Sequence, residues 1–304
     1  MSGARAAGYR LVGHRLDYLL HLRPAEWPIM AAHTALGYLL AAGIAGAGGE
    51  HLGPALLGLL LWVVCLNGGT LALNSAFDRD EGDIAYLRDP PPPPRRLALF
   101  SLGLMTVGQL AALALPPLFG ALYGVCFALS VLYSVPPFRL KAVAGADWLI
   151  NMAGFGTLTP LAGWATTGRP LDVVAGIVLL GFCPLFAALY PLTQLYQLEE
   201  DSRRGDRTLA LMLGTRRSLD VALAATGAAF LLFAWAGARS AWWSGTTAWR
   251  WSLLLIALLA WMFVLVPWRL RASRLPPREH QRRMYLALGA WAVTDLAVLL
   301  AWGT

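Results

Sequence analysis

Residues 52–83 read LGPALLGLLLWVVCLNGGTLALNSAFDRDEGD: a long run without a charge, closed by four carboxylates, Asp78, Asp80, Glu81 and Asp83. An apolar stretch of about 20 residues spans the hydrocarbon core of a bilayer, so the run predicts a membrane-crossing helix. Carboxylates near a membrane are costly, and a cluster of them at the end of a span asks for a use. The chain repeats the arrangement about 120 positions later, where Tyr196-Gln197-Leu-Glu199-Glu200-Asp201 closes the apolar run that starts near Val173. Two acidic clusters, each at the mouth of a membrane-length helix, point to a metal site facing a lipid-accessible cavity.

Composition extends that reading to the whole chain. Hydrophobic residues fill 58% of the 304 positions, charged residues only 13%, and the mean hydropathy is +0.57, too apolar for an ordinary soluble surface. The expected fold class is therefore all-α, a polytopic membrane protein with nine transmembrane helices around a central cavity. The spans fall at approximately 25–47, 52–76, 97–115, 117–135, 147–166, 173–198, 218–238, 250–268 and 284–303, with Pro116 and Pro117 dividing the third from the fourth. Residues 1–24 carry four Arg and no signal-peptide pattern, and read as a cytoplasmic amphipathic lead-in to a single domain covering 1–304.

Charge sets the orientation. Of the 24 Lys and Arg, 21 lie in the lead-in and on alternate loops; only Arg169, Arg239 and Arg250 fall on the other set. The positive-inside rule then gives a cytoplasmic N-terminus, an odd number of spans and both acidic clusters on the cytoplasmic face of a cytoplasmic (inner) membrane. The net charge of +7 is thus a topology signal with anionic lipid as a secondary partner, and does not indicate nucleic acid. Cys65, Cys126 and Cys183 sit apart in apolar segments and read as core residues.

The clusters carry the chemistry. On a helix Asn74 and Asp78 are four apart and share a face, with Asp80 and Asp83 in the exit turn; Gln197 and Asp201 repeat the spacing, with Glu200 beside them. Amide and carboxylate oxygens make a hard donor set suited to Mg2+, an ion completed by substrate phosphates. A solvated interfacial face paired with nearby Arg is the alternative, and for Glu81 and Glu199 the preferred one.

These motifs, in this order, resemble the UbiA superfamily of intramembrane prenyltransferases over nearly the whole chain. Asn74 and Asp78 match the family's first aspartate-rich pattern, with Ser75 at its first Asp, Gly82 at its last and Asp83 one step late; Asp201 matches the second pattern, with Gln197 at its first Asp. Arg23-Pro24 resembles the family's entry to the first helix, Tyr133-Ser134-Val-Pro136-Pro137-Phe-Arg139-Leu-Lys141 its Tyr-Ser-x-Pro-Pro segment, and Gly205-Asp-Arg207-Thr208-Leu the continuation of the second motif.

The resemblance implies nine helices and transfer of a prenyl group from an isoprenyl diphosphate to a hydrophobic acceptor. Asp78 and Asp201 would be catalytic. Mg2+ would sit among Asn74, Asp78, Asp80, Asp83, Gln197, Glu200 and Asp201, and the diphosphate would meet Arg23, Arg95, Tyr133, Ser134, Arg139 and Lys141. Phe155, Trp164, Phe186, Tyr190 and Tyr196 are candidate walls for the prenyl tail, and Asn151 is a polar group in the fifth span that packs helices or touches the acceptor. The five histidines show no ligand spacing and name no base. Two other functions compete: a membrane terpene cyclase acting on the diphosphate alone, and a transporter or lipid-binding scaffold using the clusters as an ion site.

Overall fold

The computed structural model describes residues 3–78, 84, 87, 89–198, 202–203, 208–243 and 245–304. Among these residues the regular elements are helices, and the one extended pairing is an isolated bridge between Ile84 and Leu87. Two short helices, α1 (Gly3–Val12) and α2 (Leu16–His21), precede α3 (Trp27–Ala42), and α4 runs from Leu52 to Asp78. Then come α5 (Leu97–Ala112) and α6 (Pro117–Ser134). Next is α7, built from Ala146–Asn151, Met152–Leu158 and Thr159–Ala165. The remaining helices are α8 (Val173–Gln194), α9 (Leu209–Arg239), α10 (Arg250–Arg271) and α11 (Pro277–Trp302).

Six of these, α4, α6, α8, α9, α10 and α11, are long and apolar enough to cross a membrane. The other three expected spans are taken by α3 and α5, of 16 residues each, and by the interrupted α7. Pro117 sits in the first turn of α6 after an extended Pro116, so the proline pair does divide two helices. Leu99, Val107, Leu231 and Phe263 point outward, more than 60% exposed, as expected of side chains that face lipid.

The lead-in and α3 start at one end of the bundle, and the C-terminus lies at the other, where the Ile44 amide donates to the Gly303 carbonyl at 2.8 Å. Arg250 lies over the rings of Trp242 and Trp249 at this far end, an aromatic belt of the kind found at membrane interfaces.

Helices α3 and α7 touch backbone to backbone. A Cβ at Gly37 would run into the Pro160 carbonyl, and one at Gly163 into that of Thr34, so small residues set this contact. Helices α4 and α7 each contain a π-helical segment, Leu61–Gly68 and Met152–Leu158. Pro160 follows the second. An α-helical ladder would give the Gly156 carbonyl the amide hydrogen that Pro160 lacks, and His33 Nε2 of α3 meets that oxygen instead, at 3.2 Å.

In the other half of the bundle α9 breaks once, at Gly214 (φ 71°), near its start. Phe182, Phe233, Trp261, Leu265 and Trp268 are fully buried between α8, α9, α10 and α11. Their polar edges are met: Trp261 Nε1 donates to Thr294 Oγ1 at 3.0 Å, and Trp268 Nε1 to His280 Nδ1 at 2.9 Å.

Candidate active site

The last turns of α4 carry the first acidic motif to one end of the bundle. Asn74 and Asp78 lie on the same helix, as the spacing predicts. Two rungs, one helical turn apart, join α4 to α6: the Thr70 and Ser130 hydroxyls lie 2.7 Å apart, and Ser134 Oγ donates to Asn74 Oδ1 at 2.6 Å. Beyond α6, Arg139 adopts a left-handed backbone (φ 37°), and the segment turns back so that Lys141 pairs with Asp78 Oδ1 and Arg139 Nη2 lies 3.5 Å from the same oxygen. A non-glycine residue in that region is uncommon, and such outliers gather at functional sites. Arg23 is a second (φ 50°); buried, it donates from Nη2 to Ser75 Oγ at 3.3 Å, and its guanidinium faces Glu26.

Asn74, Asp78, Arg23, Ser134, Arg139 and Lys141 therefore converge on one mouth. Arg95 stands apart, exposed in the turn before α5. Asp80, Asp83, Glu200 and Asp201 lie outside the described residues. Gln197 corrects the helical reading of the second cluster: α8 ends at Gln194, and Gln197 follows in a turn. Where α8 ends, the Gln194 side chain turns inward, donating to Asp147 Oδ2 at 3.0 Å and accepting from the Ala210 amide at 3.2 Å, which ties α7, α8 and α9 together.

Below the mouth the bundle holds two lobes of empty space. The first, about 140 Å³, runs beside α4 from Asn74 to Trp62, with Tyr133, Asn151 and Phe155 in its walls. The two π-helical segments face each other across it. A second, about 200 Å³, lies between α3, α8 and α11. Met30, Leu71, Asn151 and Phe155 belong to both, so the lobes adjoin.

Aromatic rings line the junction: Phe155 stacks on Phe186 (5.1 Å, 13°), Phe186 on Tyr190 (6.3 Å, 28°), and the Tyr190 and Tyr133 hydroxyls lie 3.0 Å apart. Tyr196 lines the second lobe, whereas Trp164 is buried near the far end with Ala41 and Leu179, its indole nitrogen donating to the Arg169 carbonyl. Asn151 turns its amide back onto the Asp147 carbonyl at 2.8 Å and still borders both lobes.

One polar pair escaped the sequence. His33, on the wall of the second lobe, places Nδ1 3.1 Å from Asp295 Oδ1 of α11. Its Nε2 lies 3.2 Å from the Gly156 carbonyl, so one ring bridges α11 and α7. The ring is packed edge-on between Phe182 and Trp291. The partners are 262 positions apart, and no local pattern signals them.

The family model described as the UbiA prenyltransferase family matches residues 34–291, most of the chain. The chain belongs to that family. As a UbiA protein it is a prenyltransferase of the membrane. Among curated proteins it is similar to the lycopene elongase/hydratase of Haloferax volcanii, at 29% identity over 217 residues, 68% of each chain.

Among solved structures it resembles a UbiA homologue from Archaeoglobus fulgidus bound to Cd2+ (TM-score 0.64, 20% identity, covering 93% of this chain and 99% of that one). The same homologue bound to GPP and Mg2+ superposes similarly (TM-score 0.65, 18% identity, 91% and 99%). A digeranylgeranylglyceryl phosphate synthase shares the fold as well (TM-score 0.66, 15% identity, 94% and 97%). At these identities the structural likeness speaks for the fold.

Proposed function

We propose that this UbiA protein transfers a prenyl group from an isoprenyl diphosphate to a lipophilic acceptor within the membrane, at a Mg2+-dependent site. The observation that carries the reading is the mouth itself, where Asn74 and Asp78 stand beside Arg23, Ser134, Arg139 and Lys141, directly above an apolar cavity. A ligand with a densely anionic head and a hydrocarbon tail fits that sequence of environments. A solved homologue carries GPP and Mg2+, which supports the same assignment.

The donor set fits the metal. The Asn74 amide and the Asp78 carboxylate offer hard oxygens on one helix face, and Asp80, Asp83, Gln197, Glu200 and Asp201 are the further candidate ligands. When bound, Mg2+ would neutralise charge on the diphosphate and make it a better leaving group.

The chain's own residues do the rest. Arg23, Arg139 and Lys141 hold the diphosphate by charge-assisted hydrogen bonds that strengthen as the allylic C1–O bond breaks and negative charge collects on the leaving oxygens. Ser134 and Tyr133 position it from α6. The stacked faces of Phe155, Phe186 and Tyr190 stabilise the allylic cation. The apolar second lobe receives the acceptor, whose new C–C bond is completed by loss of a proton. By the distribution of Arg and Lys, the mouth faces the cytoplasm from an inner membrane.

The test is diphosphate release by purified protein with Mg2+ and isoprenyl diphosphates, with and without an extracted lipid acceptor pool. Wild type is expected to release diphosphate and form a prenylated lipid, and Asp78→Ala and Asp201→Ala each to lose about 100- to 1,000-fold of that rate. A cyclic hydrocarbon formed without any acceptor would replace transfer by cyclisation. Background release by wild type and both variants would leave a scaffold or transporter.

A further inference from the structure

Prenyl transfer ends when the acceptor gives up a proton, and the second lobe has a carboxylate in its wall. Among the described residues of that wall the acidic side chain is Glu26, which belongs to neither aspartate-rich motif. It stands at the N-cap of α3, in a turn tied at both ends: the Glu26 amide donates to the Arg23 carbonyl at 3.0 Å, and Trp27 Nε1 to the Leu22 carbonyl at 3.0 Å. The left-handed backbone of Arg23 opens the same turn, and its guanidinium faces Glu26.

Against this turn lies the π-helical segment of α4. Its Gly68 packs on Leu22: a Cβ there would already touch the Leu22 Cβ, at 3.4 Å. Beside it Asn67, 5% exposed, faces the Glu26 carboxylate. Asn67 Nδ2 has no hydrogen-bond partner among the described residues, and a buried donor left open costs free energy and asks for a role. Met30, one turn on from Glu26, and Leu71, one turn on from Asn67, line both lobes, so the pair stands near their seam. The histidine of the same wall is already engaged, with Nδ1 on Asp295 and Nε2 on the Gly156 carbonyl.

We propose that Glu26 is the proton acceptor of the transfer and that Asn67 steadies its carboxylate. The proposal rests on the prenyl-transfer reading above and adds the group that completes it. The allylic C1–O bond breaks and its electron pair leaves with the diphosphate. An unsaturated or aromatic carbon of the acceptor supplies the pair for the new C–C bond. The electrons of an acceptor C–H bond then restore the lost π bond as the proton passes to a Glu26 oxygen, and from there to water at the mouth. Glu26 is placed for this, between Arg23, assigned to the diphosphate, and the lobe assigned to the acceptor.

The decisive measurement is coupling, the prenylated lipid formed per diphosphate released. Purified full-length protein is given Mg2+, dimethylallyl, geranyl or farnesyl diphosphate, and a total lipid extract of its own membrane, in 18O-labelled water. Pyrophosphate affinity is measured alongside by calorimetry. Wild type is expected to couple release to transfer. Glu26→Gln keeps the shape and removes the base, and is expected to lose about tenfold more of its prenylated lipid than of its diphosphate release, the difference appearing as 18O-labelled prenyl alcohol.

A Glu26 that only holds Arg23 in place behaves otherwise: pyrophosphate affinity, release and prenylated lipid fall together and coupling stays intact. That result, or unchanged coupling with unchanged affinity, overturns the proposal and leaves the diphosphate site standing. Glu26→Asp keeps the charge beside Arg23 and draws the carboxylate back by one methylene; its coupling is expected to fall about threefold while pyrophosphate binds as in wild type. Full coupling in Glu26→Asp refutes the base even where Glu26→Gln does not fold. Release by wild type without any prenylated lipid also refutes it, because no acceptor proton is then lost. If wild type releases no diphosphate from any donor, the prenyl-transfer reading itself falls.

Discussion

The two halves of the bundle solve different problems with the same material. In α8–α11, apart from the break at Gly214 near the start of α9, large rings such as Trp261 and Trp268 fill the space between the helices, and the indole nitrogens of these two are paired inside the core. In α3–α7 the helices carry two π-helical segments and a left-handed arginine follows α6, with hydroxyl and amide rungs across the gap and room left between them. One half holds shape by close packing; the other gives up packing to hold polar groups around a space. Stability and chemistry are therefore expected to separate by region.

The sharpest way to break that division is to compare Trp261→Ala with Asp78→Ala. Removing a fully buried indole costs about 3–5 kcal/mol of stability, read as a lower melting temperature, while folded molecules keep their diphosphate affinity. Asp78→Ala should do the reverse, losing turnover without a fall in melting temperature; a large melting shift in Asp78→Ala would undo the separation.

His33→Ala probes the joint between the halves. It orphans Asp295 and the Gly156 carbonyl together and should cost about 2–4 kcal/mol, with His33→Gln recovering part of it through the Gly156 bond. Equal melting of His33→Ala and wild type would show that the halves do not depend on this link.

Lys141→Met removes one cation from Asp78 and leaves Arg139 beside it. The expected loss in kcat/KM is about tenfold with unchanged melting, smaller than for Asp78→Ala because the carboxylate remains.

The smallest effect lies outside the spans. His21 of α2 is buried, with Nε2 on the Pro91 carbonyl at 3.1 Å and no hydrogen-bond partner for Nδ1 among the described residues. Burial pushes its pKa below the ordinary 6.5, against a smaller opposing pull from the Pro91 carbonyl. The folded state thus favours the neutral ring. Its stabilisation is complete above the unfolded pKa of 6.5 and is lost as pH falls from there through the lower folded value. Amide exchange in α2 should quicken below that pH while exchange in α10 does not change; parallel acceleration of both would mean that the lead-in is not a separate unit.

Much of this was legible in the sequence, and the failures have physical causes. Bilayer thickness fixes the length of an apolar run, so the spans near 52–76 and 117–135 ended within a residue or two of α4 and α6. Helical spacing does not carry through Gln197, since α8 ends at Gln194 and Gln197 follows in a turn, while Glu200 and Asp201 lie outside the described residues. Arg95 and Arg139 looked equivalent as basic loop residues, yet only Arg139 is folded back onto Asp78. Trp164 and Phe155 looked alike as aromatic walls, and depth in the bundle separates them.

By itself the sequence determined what is additive along the chain: a membrane protein, the approximate places of its crossings, and an acidic motif that closes the second of them, because hydrophobic length and charge act residue by residue. Only the tertiary structure decided what depends on rotation and depth of one helix against another. Such are the meeting of the two π-helical segments, the pairing of His33 with Asp295, and the hydrogen bond between Trp62 and Thr159, 97 positions apart in the chain. A side chain's partner across a bundle is set by the packing of every helix between them, and no local spacing records that.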